Sequence, residues 1–406
     1  MTTTENSAAP AAPARPQDAG QLPLLKLLIF AGAGFLAFMT ETTPAGLLPR
    51  IAHGLDVSEG LAGQLVTLYA LGSVVAAIPV ITLTRGVRRK PLLLSAIAGL
   101  FAFNTVTAVS HDYALTLGAR FLAGMASGVV WGLLAGYARR LVPEHLQGRA
   151  LAVVSVGQPV ALALGIPLAT WLGSLVGWQG AFWVMSALAL LLLAAMRALV
   201  PDYPGQAGHE RLPLRAIATL PGIRPILLII FLWTLAHNIL YTYVAPFLDH
   251  TGLGGRVGVM LLVFGATAIA GIWFTGALVD RKLRALSFGC LLGFGAAALC
   301  LGIGIRSPLM VTAGVVIWGL TFGGSPALQQ TALADAAGDG ADVAQSMLVT
   351  VCNLAVAAAG VLGGLLLETA GVSSLPWALL VLTTVTFALV AATKEHGFTP
   401  GARGSA

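Results

Sequence analysis

Charge is scarce in this chain. Asp, Glu, Lys and Arg make up 9% of its 406 residues, and hydrophobic residues reach 57%. A soluble domain carries about 25% charged residues, so the few water-soluble domains that this length would suggest are excluded. Cysteine is scarce too. Cys290, Cys300 and Cys352 all fall in apolar stretches without metal-ligand spacing and call for no disulfide. No Gly-x-Ser-x-Gly, P-loop or His-Glu-x-x-His pattern occurs, and the seven histidines are scattered. The expectation is therefore no enzyme, no metal and no cofactor. With no nucleotide-binding domain in view, energy would have to come from an ion gradient or from a solute's own gradient.

What the chain has in quantity is apolar length, with a mean hydropathy of +0.88. A membrane-spanning helix needs about 20 such residues. Twelve runs qualify: 23–49, 61–83, 91–110, 114–138, 147–175, 179–200, 223–248, 256–279, 285–305, 308–333, 343–367 and 374–393. No alternating strand pattern competes with them, so the expected fold is an all-α membrane protein of twelve transmembrane helices. They divide into bundles of six, 23–200 and 223–393, about a polar connector at 201–222 that holds Asp202, Glu210, Arg211 and Arg215. Residues 1–22 read as a disordered cytoplasmic tail and 394–406 as a second tail. The start lacks the basic region of a signal peptide, so an uncleaved first span is expected.

The net charge of +6 sorts by topology rather than by a nucleic-acid partner. With both termini inside, 18 of the 22 Lys and Arg lie on the inner side and three (Arg50, Arg256 and Arg306) on the outer side, with Arg120 inside a span. The positive-inside rule then places both termini in the cytoplasm of a multi-pass membrane protein. The basic loops also repeat. LTRGVRRK at Leu83–Lys90 and LVDRKLR at Leu278–Arg284 put Arg85 and Arg281 196 residues apart, close to half the chain. Repetition of an apolar–basic–apolar unit at half length indicates two related bundles, an architecture that usually moves solutes. Small-residue pairs such as Gly124/Gly128 and Gly360/Gly364 allow close helix approach, and Pro159 and Pro167 are expected to bend the fifth span.

Ionisable groups inside a bilayer are costly and usually functional. Glu41 is the carboxylate well within a span and Arg120 its basic counterpart, at expected depths of about 12 and 9 Å from the outer edge. Similar depth makes a pair feasible; the plainer reading is an interfacial Glu and an Arg that snorkels outward. His237, Asn238, Tyr241 and Tyr243 lie within seven residues on the seventh span, at the repeat interface where a substrate cavity is expected. Gln158 and Asn353 are weaker cavity candidates. Trp131 and Trp233 could stack on a sugar or aromatic ligand, although aromatic packing is the commoner explanation.

ETTPAGLLPRIA at 41–52, the loop at 83–90, RFLAGMASGVVWG at 120–132, GQPVALALGIPLATWLG at 157–173 and YTYVAPFL at 241–248 together resemble the major facilitator superfamily. Within it the chain is similar to the twelve-span drug:proton antiporter group that includes bacterial sugar and arabinose efflux permeases. The resemblance implies two pseudo-symmetric six-helix bundles. It also implies proton work for an acid near Glu41, a central role for Arg120, and a cytoplasmic gate. The family's Gly-x-x-x-Asp-Arg loop has Thr84 at the acid position in the first half but keeps Gly276, Asp280 and Arg281 in the second. The gate candidates are thus Arg85, Arg88, Asp280 and Arg281, with Asp335, Asp339 and Asp342 as acids that the first-half basic cluster could meet. The expected partners are protons, a small-molecule substrate (sugar, purine-like compound, drug or metabolite) and the lipid bilayer, with the protein a monomer. Proton-coupled export leads; uniport or uptake without protons, and a non-transporting membrane receptor, are the alternatives.

Overall fold

The computed structural model describes residues 22–77, 87–143, 146–204, 218–393 and 398, less the side chains of 77, 148, 280, 339, 341 and 342. Among these residues there is no strand. Twelve helical segments are long and apolar enough to cross a membrane. In chain order they are Leu24–Leu55, Glu59–Ala76, Arg89–Val109, Tyr113–Arg140, Arg149–Val176, Trp178–Leu199, Ile223–Thr242, Gly254–Val279, Arg281–Ile303, Pro308–Ala337, Val343–Ala370 and Val372–Ala392, called here the first to twelfth spans. The expected tails and most of the connector, 1–21, 205–217 and 394–406 apart from Phe398, lie outside the described residues.

Burial separates the spans by position. In the first, second, fourth and seventh, 56–61% of the apolar window is buried within the protein, against 39–44% in six others and 33% in the sixth and twelfth. The first of these groups is central and the last faces lipid. Within each half the spans pack mainly on one another. Across the halves the second packs on the eleventh, the fifth on the eighth, and the first on the seventh. Gly124 and Gly128 of the fourth span lie directly against the backbone of Tyr69 and Ser73 in the second, where a Cβ would collide. Close backbone approach of this kind drives helix association where lipid offers no hydrophobic push.

Several span ends differ from the sequence expectation, each for a local reason. The first helix runs to Leu55 rather than stopping near 49, passing through Pro44 and Pro49. Arg50 does not end it, because its Nη1 donates to the Gly173 carbonyl at 3.0 Å. The eighth and ninth spans form one helix, Val257–Ile303, broken only at Lys282 (φ −139°, ψ 35°), where a seven-residue loop is expected from the sequence. The seventh span breaks at Tyr243, because Pro246 cannot donate to the Thr242 carbonyl four residues back. In the fifth, the helix halts after Ser155, four residues before Pro159. A π-turn then occupies Ala161–Gly165, spanning the Ala163 carbonyl that Pro167 leaves free. The helix is thus interrupted where a bend is expected, and the register of the interruption follows from the two prolines.

The repeated basic loops perform matching structural work. Lys90 Nζ donates to the Arg197 carbonyl at 2.8 Å, at the end of the sixth span. Arg284 donates to the carbonyls of Ala391 (3.1 Å) and Thr393 (3.0 Å), at the end of the twelfth. Each cation thus satisfies the unpaired C-terminal carbonyls of its half's last helix and sits at the negative end of that helix dipole.

Candidate functional site

Arg120, Glu41 and Tyr69 come together where the first, second and fourth spans meet. Arg120 is fully buried. Its guanidinium lies over the Tyr69 ring at 4.7 Å and near the Phe182 ring at 5.7 Å. Nε and Nη2 reach the main-chain carbonyls of Leu65 and Glu41, each at 3.4 Å, and Nη1 has no hydrogen-bond partner among the described residues. These are long contacts for N–H donors. The Tyr69 hydroxyl donates to the Ala37 carbonyl at 2.8 Å and so fixes the ring that supports the cation. Beside it, Asn104 Nδ2 donates to Thr40 Oγ1 at 3.0 Å while its Oδ1 is left unpartnered.

The side chains of Glu41 and Arg120 act on each other electrostatically, yet they form no ion pair within 4.0 Å. The guanidinium instead contacts the Glu41 backbone carbonyl. Because the first span is longer than expected, Glu41 lies about 21 Å from its far end, near mid-helix rather than at the shallow depth expected from the sequence. The Glu41 carboxyl also lies in electrostatic reach of Tyr69, Tyr241 and Cys352. Thr234 Oγ1 and Cys352 Sγ are 3.8 Å apart, joining the seventh and eleventh spans at the same place. The site therefore draws on both halves of the protein.

His237 is buried in an aromatic box. Trp318 Nε1 donates to its Nδ1 at 3.0 Å, which leaves the neutral ring with its proton on Nε2. Phe322 stacks face to face at a centroid distance of 3.3 Å, with Tyr241 at 5.1 Å and Phe264 at 5.9 Å. The Tyr241 hydroxyl is buried without a partner. Asn238 and Asn353 are half-buried, and each spends its Nδ2 on the carbonyl four residues back, Thr234 and Val349, at 2.9 Å. Gln158 is exposed on the fifth span, and Trp131 is half-buried beside Gly34 of the first.

Tyr243 does not belong with this group. The helix break turns its hydroxyl away from the site to the Gly360 carbonyl, at 2.6 Å, and towards the Gly60 carbonyl at 3.4 Å. Gly63, Gly363 and Gly364 surround the ring so closely that a Cβ on any of them would overlap it. Hydrogen bonds between the halves concentrate at the same end of the molecule. Ser58 donates to Glu368 at 2.6 Å, Gln64 to the Gly360 carbonyl at 3.1 Å, and Thr67 to the Ala357 carbonyl at 3.3 Å. The halves are thus closed at the end away from the basic loops. Replacing Tyr243 by Phe removes the shared hydroxyl while keeping the ring. Cysteine pairs placed across the second and eleventh spans at this end are expected to cross-link less readily in Tyr243→Phe than in the parent. Unchanged cross-linking would rule out Tyr243 as a latch.

Of the gate candidates, Arg88, Arg281 and Asp335 lie among the described residues with their side chains. Arg85, together with the side chains of Asp280, Asp339 and Asp342, lies outside the described residues. Arg88 pairs with Asp202, at the start of the connector, at 2.6 Å, while the Lys90 amide donates to the same carboxylate at 3.2 Å. Tyr203 joins this belt by donating its hydroxyl to the Arg140 carbonyl at 3.0 Å. Burial pushes that phenol above its ordinary value and the Arg140 guanidinium draws it back. Arg281 and Asp335 are exposed.

Sequence reasoning passed over Tyr69, Phe182, Thr234, Trp318, Phe322 and Cys352. In an apolar run an aromatic, a threonine or a cysteine looks like packing, and nothing in its spacing marks the one that faces an ion.

Comparison with known proteins gives a consistent result. The family model described as Major Facilitator Superfamily matches residues 30–360. The chain is 31% identical over 358 residues to the transcription regulatory protein OpdE of Pseudomonas aeruginosa, covering 85% of this chain and 87% of that protein. It is 27% identical over 338 residues to the purine ribonucleoside efflux pump NepI of Escherichia coli K12, covering 83% and 85%. The crystal structure of the human organic anion transporter MFSD10 (TETRAN) superposes with a TM-score of 0.68 at 20% identity, over 91% of this chain and all of that one. At that identity the likeness speaks for the fold alone.

Proposed function

The chain belongs to the major facilitator superfamily, and on that premise we propose that it is a proton-coupled exporter of a small molecule, with Glu41 as the proton carrier. The family is one of transporters rather than enzymes, and the chain has relatives named as efflux pumps. One observation carries the proton reading: a single carboxyl near the middle of the first span shares the buried centre with Arg120 without being locked to it. A carboxylate held in a full salt bridge would resist protonation. One that only feels the cation can gain a proton when water reaches it. Protonation cancels its attraction for the guanidinium, and that change in charge biases which side of the centre is open.

Taking the basic end as cytoplasmic, both termini lie in the cytoplasm of a bacterial inner membrane and the molecule is closed to the outside. Rocking of residues 23–200 against 223–393, joined through 201–222, then alternates access. The substrate class that the centre suits best is a neutral molecule with a planar ring. Support comes from the aromatic box about His237 and from the name of the E. coli relative, a purine ribonucleoside pump. Asn238, Tyr241, Asn353, Gln158 and Trp131 are the side chains proposed to contact it.

The test is uptake of a radiolabelled purine ribonucleoside, with arabinose as a second probe, into proteoliposomes with and without an imposed pH gradient. Gradient-dependent flux is the expected result. Flux indifferent to the gradient means uniport. A membrane receptor is the second reading, favoured by the regulatory name of the Pseudomonas relative; binding without flux of either probe would select it.

A further inference from the structure

At the end of the bundle away from the basic loops, the first, fifth and eighth spans enclose a cavity of about 710 Å³. It is separate from the buried centre at Glu41 and Arg120. Two guanidiniums line it, those of Arg50 and Arg256. Lys and Arg are depleted at this end, which has only one other, Arg306, so two of the three converge on one cavity. Even scatter over the loops would not do this. Neither Arg50 nor Arg256 is ion-paired among the described residues. Arg50 commits one N–H to the Gly173 carbonyl, and the Arg256 side chain has no hydrogen-bond partner among them. Asp249 is the only acid on the wall. It leans over Gly254 and leaves the lining with one net positive charge. The cavity also runs along the first turn of the eighth span, whose amide end adds partial positive charge.

The rest of the lining has a different character. Leu164, Leu168, Trp171 and Leu262 form a flank that is roughly half exposed on the outside of the bundle, with Trp171 59% accessible. A tryptophan at this depth marks the headgroup level of a bilayer. Cations at the rim and an apolar wall that continues into the lipid-facing surface match a molecule with an anionic head and a hydrocarbon tail. A free anion would have no use for that wall.

We propose that this cavity is a binding site for an anionic phospholipid of the leaflet at that end, its phosphate between Arg50 and Arg256 and an acyl chain along Leu164, Leu168 and Trp171. Basic pockets between transmembrane helices recognise anionic headgroups by the same charge complementarity. The walls belong to both halves, the first and fifth spans from one and the eighth from the other, so a bound lipid bridges them and favours the closed state. Glu41 and proton coupling play no part in the site, so the two readings stand or fall separately.

The test uses the full chain in nanodiscs of phosphatidylcholine, alone or with phosphatidylglycerol, read by thermal unfolding and by the phospholipid retained in native mass spectrometry. Phosphatidylglycerol is expected to be retained in preference and to raise the melting temperature. Replacing both guanidiniums (Arg50→Ala with Arg256→Ala) should lower that preference by roughly tenfold or more. The double Lys variant should keep most of it. If the double Ala variant does not fold, Arg256→Gln carries the test, since that side chain has no hydrogen-bond or ion-pair partner among the described residues. A preference unchanged in these variants overturns the proposal. So does equal stabilisation by inorganic phosphate or glycerol phosphate, which would make this a free-anion site.

Discussion

Glu41→Gln is expected to abolish transport driven by a pH gradient while leaving substrate binding intact. The amide keeps the size and hydrogen-bonding reach of the carboxyl but holds no exchangeable charge. Ionisable residues at mid-bilayer are retained at a cost of about 2.5–3.5 kcal/mol on insertion scales, which selection tolerates where the charge is used. Here Glu41 sits near the middle of a 32-residue helix and in reach of Arg120, Tyr241 and Cys352. Substrate-dependent proton movement in proteoliposomes should fall to the level of protein-free vesicles, whereas exchange of labelled for unlabelled substrate persists. Undiminished proton movement in the variant would mean that the proton travels elsewhere and that Glu41 is structural.

Arg120→Ala has the larger effect on the protein itself. The guanidinium is fully buried at the junction of four spans, touching Glu41 and Leu65 through their carbonyls and Tyr69 and Phe182 through their rings. A desolvated cation–π contact is worth about 2 kcal/mol. Truncation also opens a cavity and leaves the Glu41 carboxyl without a nearby cation, so a total loss of about 3–5 kcal/mol is expected. A fall of several degrees in the melting temperature of detergent-purified protein, together with loss of transport, is the expected outcome. Arg120→Lys keeps the charge but lacks the fork that reaches two carbonyls at once, so it should restore stability more than transport. Parent-like melting and flux in Arg120→Ala would remove this residue from the mechanism.

Much of the architecture was legible in the sequence because bilayer physics leaves few choices. An apolar run of about 20 residues can satisfy its backbone in lipid only as a helix. The twelve spans and their six-and-six division about a polar connector follow from that constraint and from the half-length repeat of basic loops. Glu41 and Arg120 stood out for the same reason, being ionisable where ionisable groups are expensive. The loop repeat paired Arg85 with Arg281; that Lys90 and Arg284 reach the carbonyls at the ends of the sixth and twelfth spans emerged only in the fold.

Other features were decided by packing between segments far apart in the chain. Whether Glu41 meets the Arg120 side chain depends on where the guanidinium rests, and the Tyr69 ring of another span determines that. Tyr243 reads as a neighbour of His237 when counted along the helix. Pro246 breaks that helix, and glycines near residues 60 and 360 accept the displaced ring, which turns a cavity candidate into part of the closure at the end away from the basic loops. Arg50 and Arg256, 206 residues apart, share one cavity only because the fifth and eighth spans close around it. Hydropathy and charge act along the chain and locate its helices in a membrane. Which side chains face one another is set by helix breaks and close backbone contacts, and these exist only once the spans have packed.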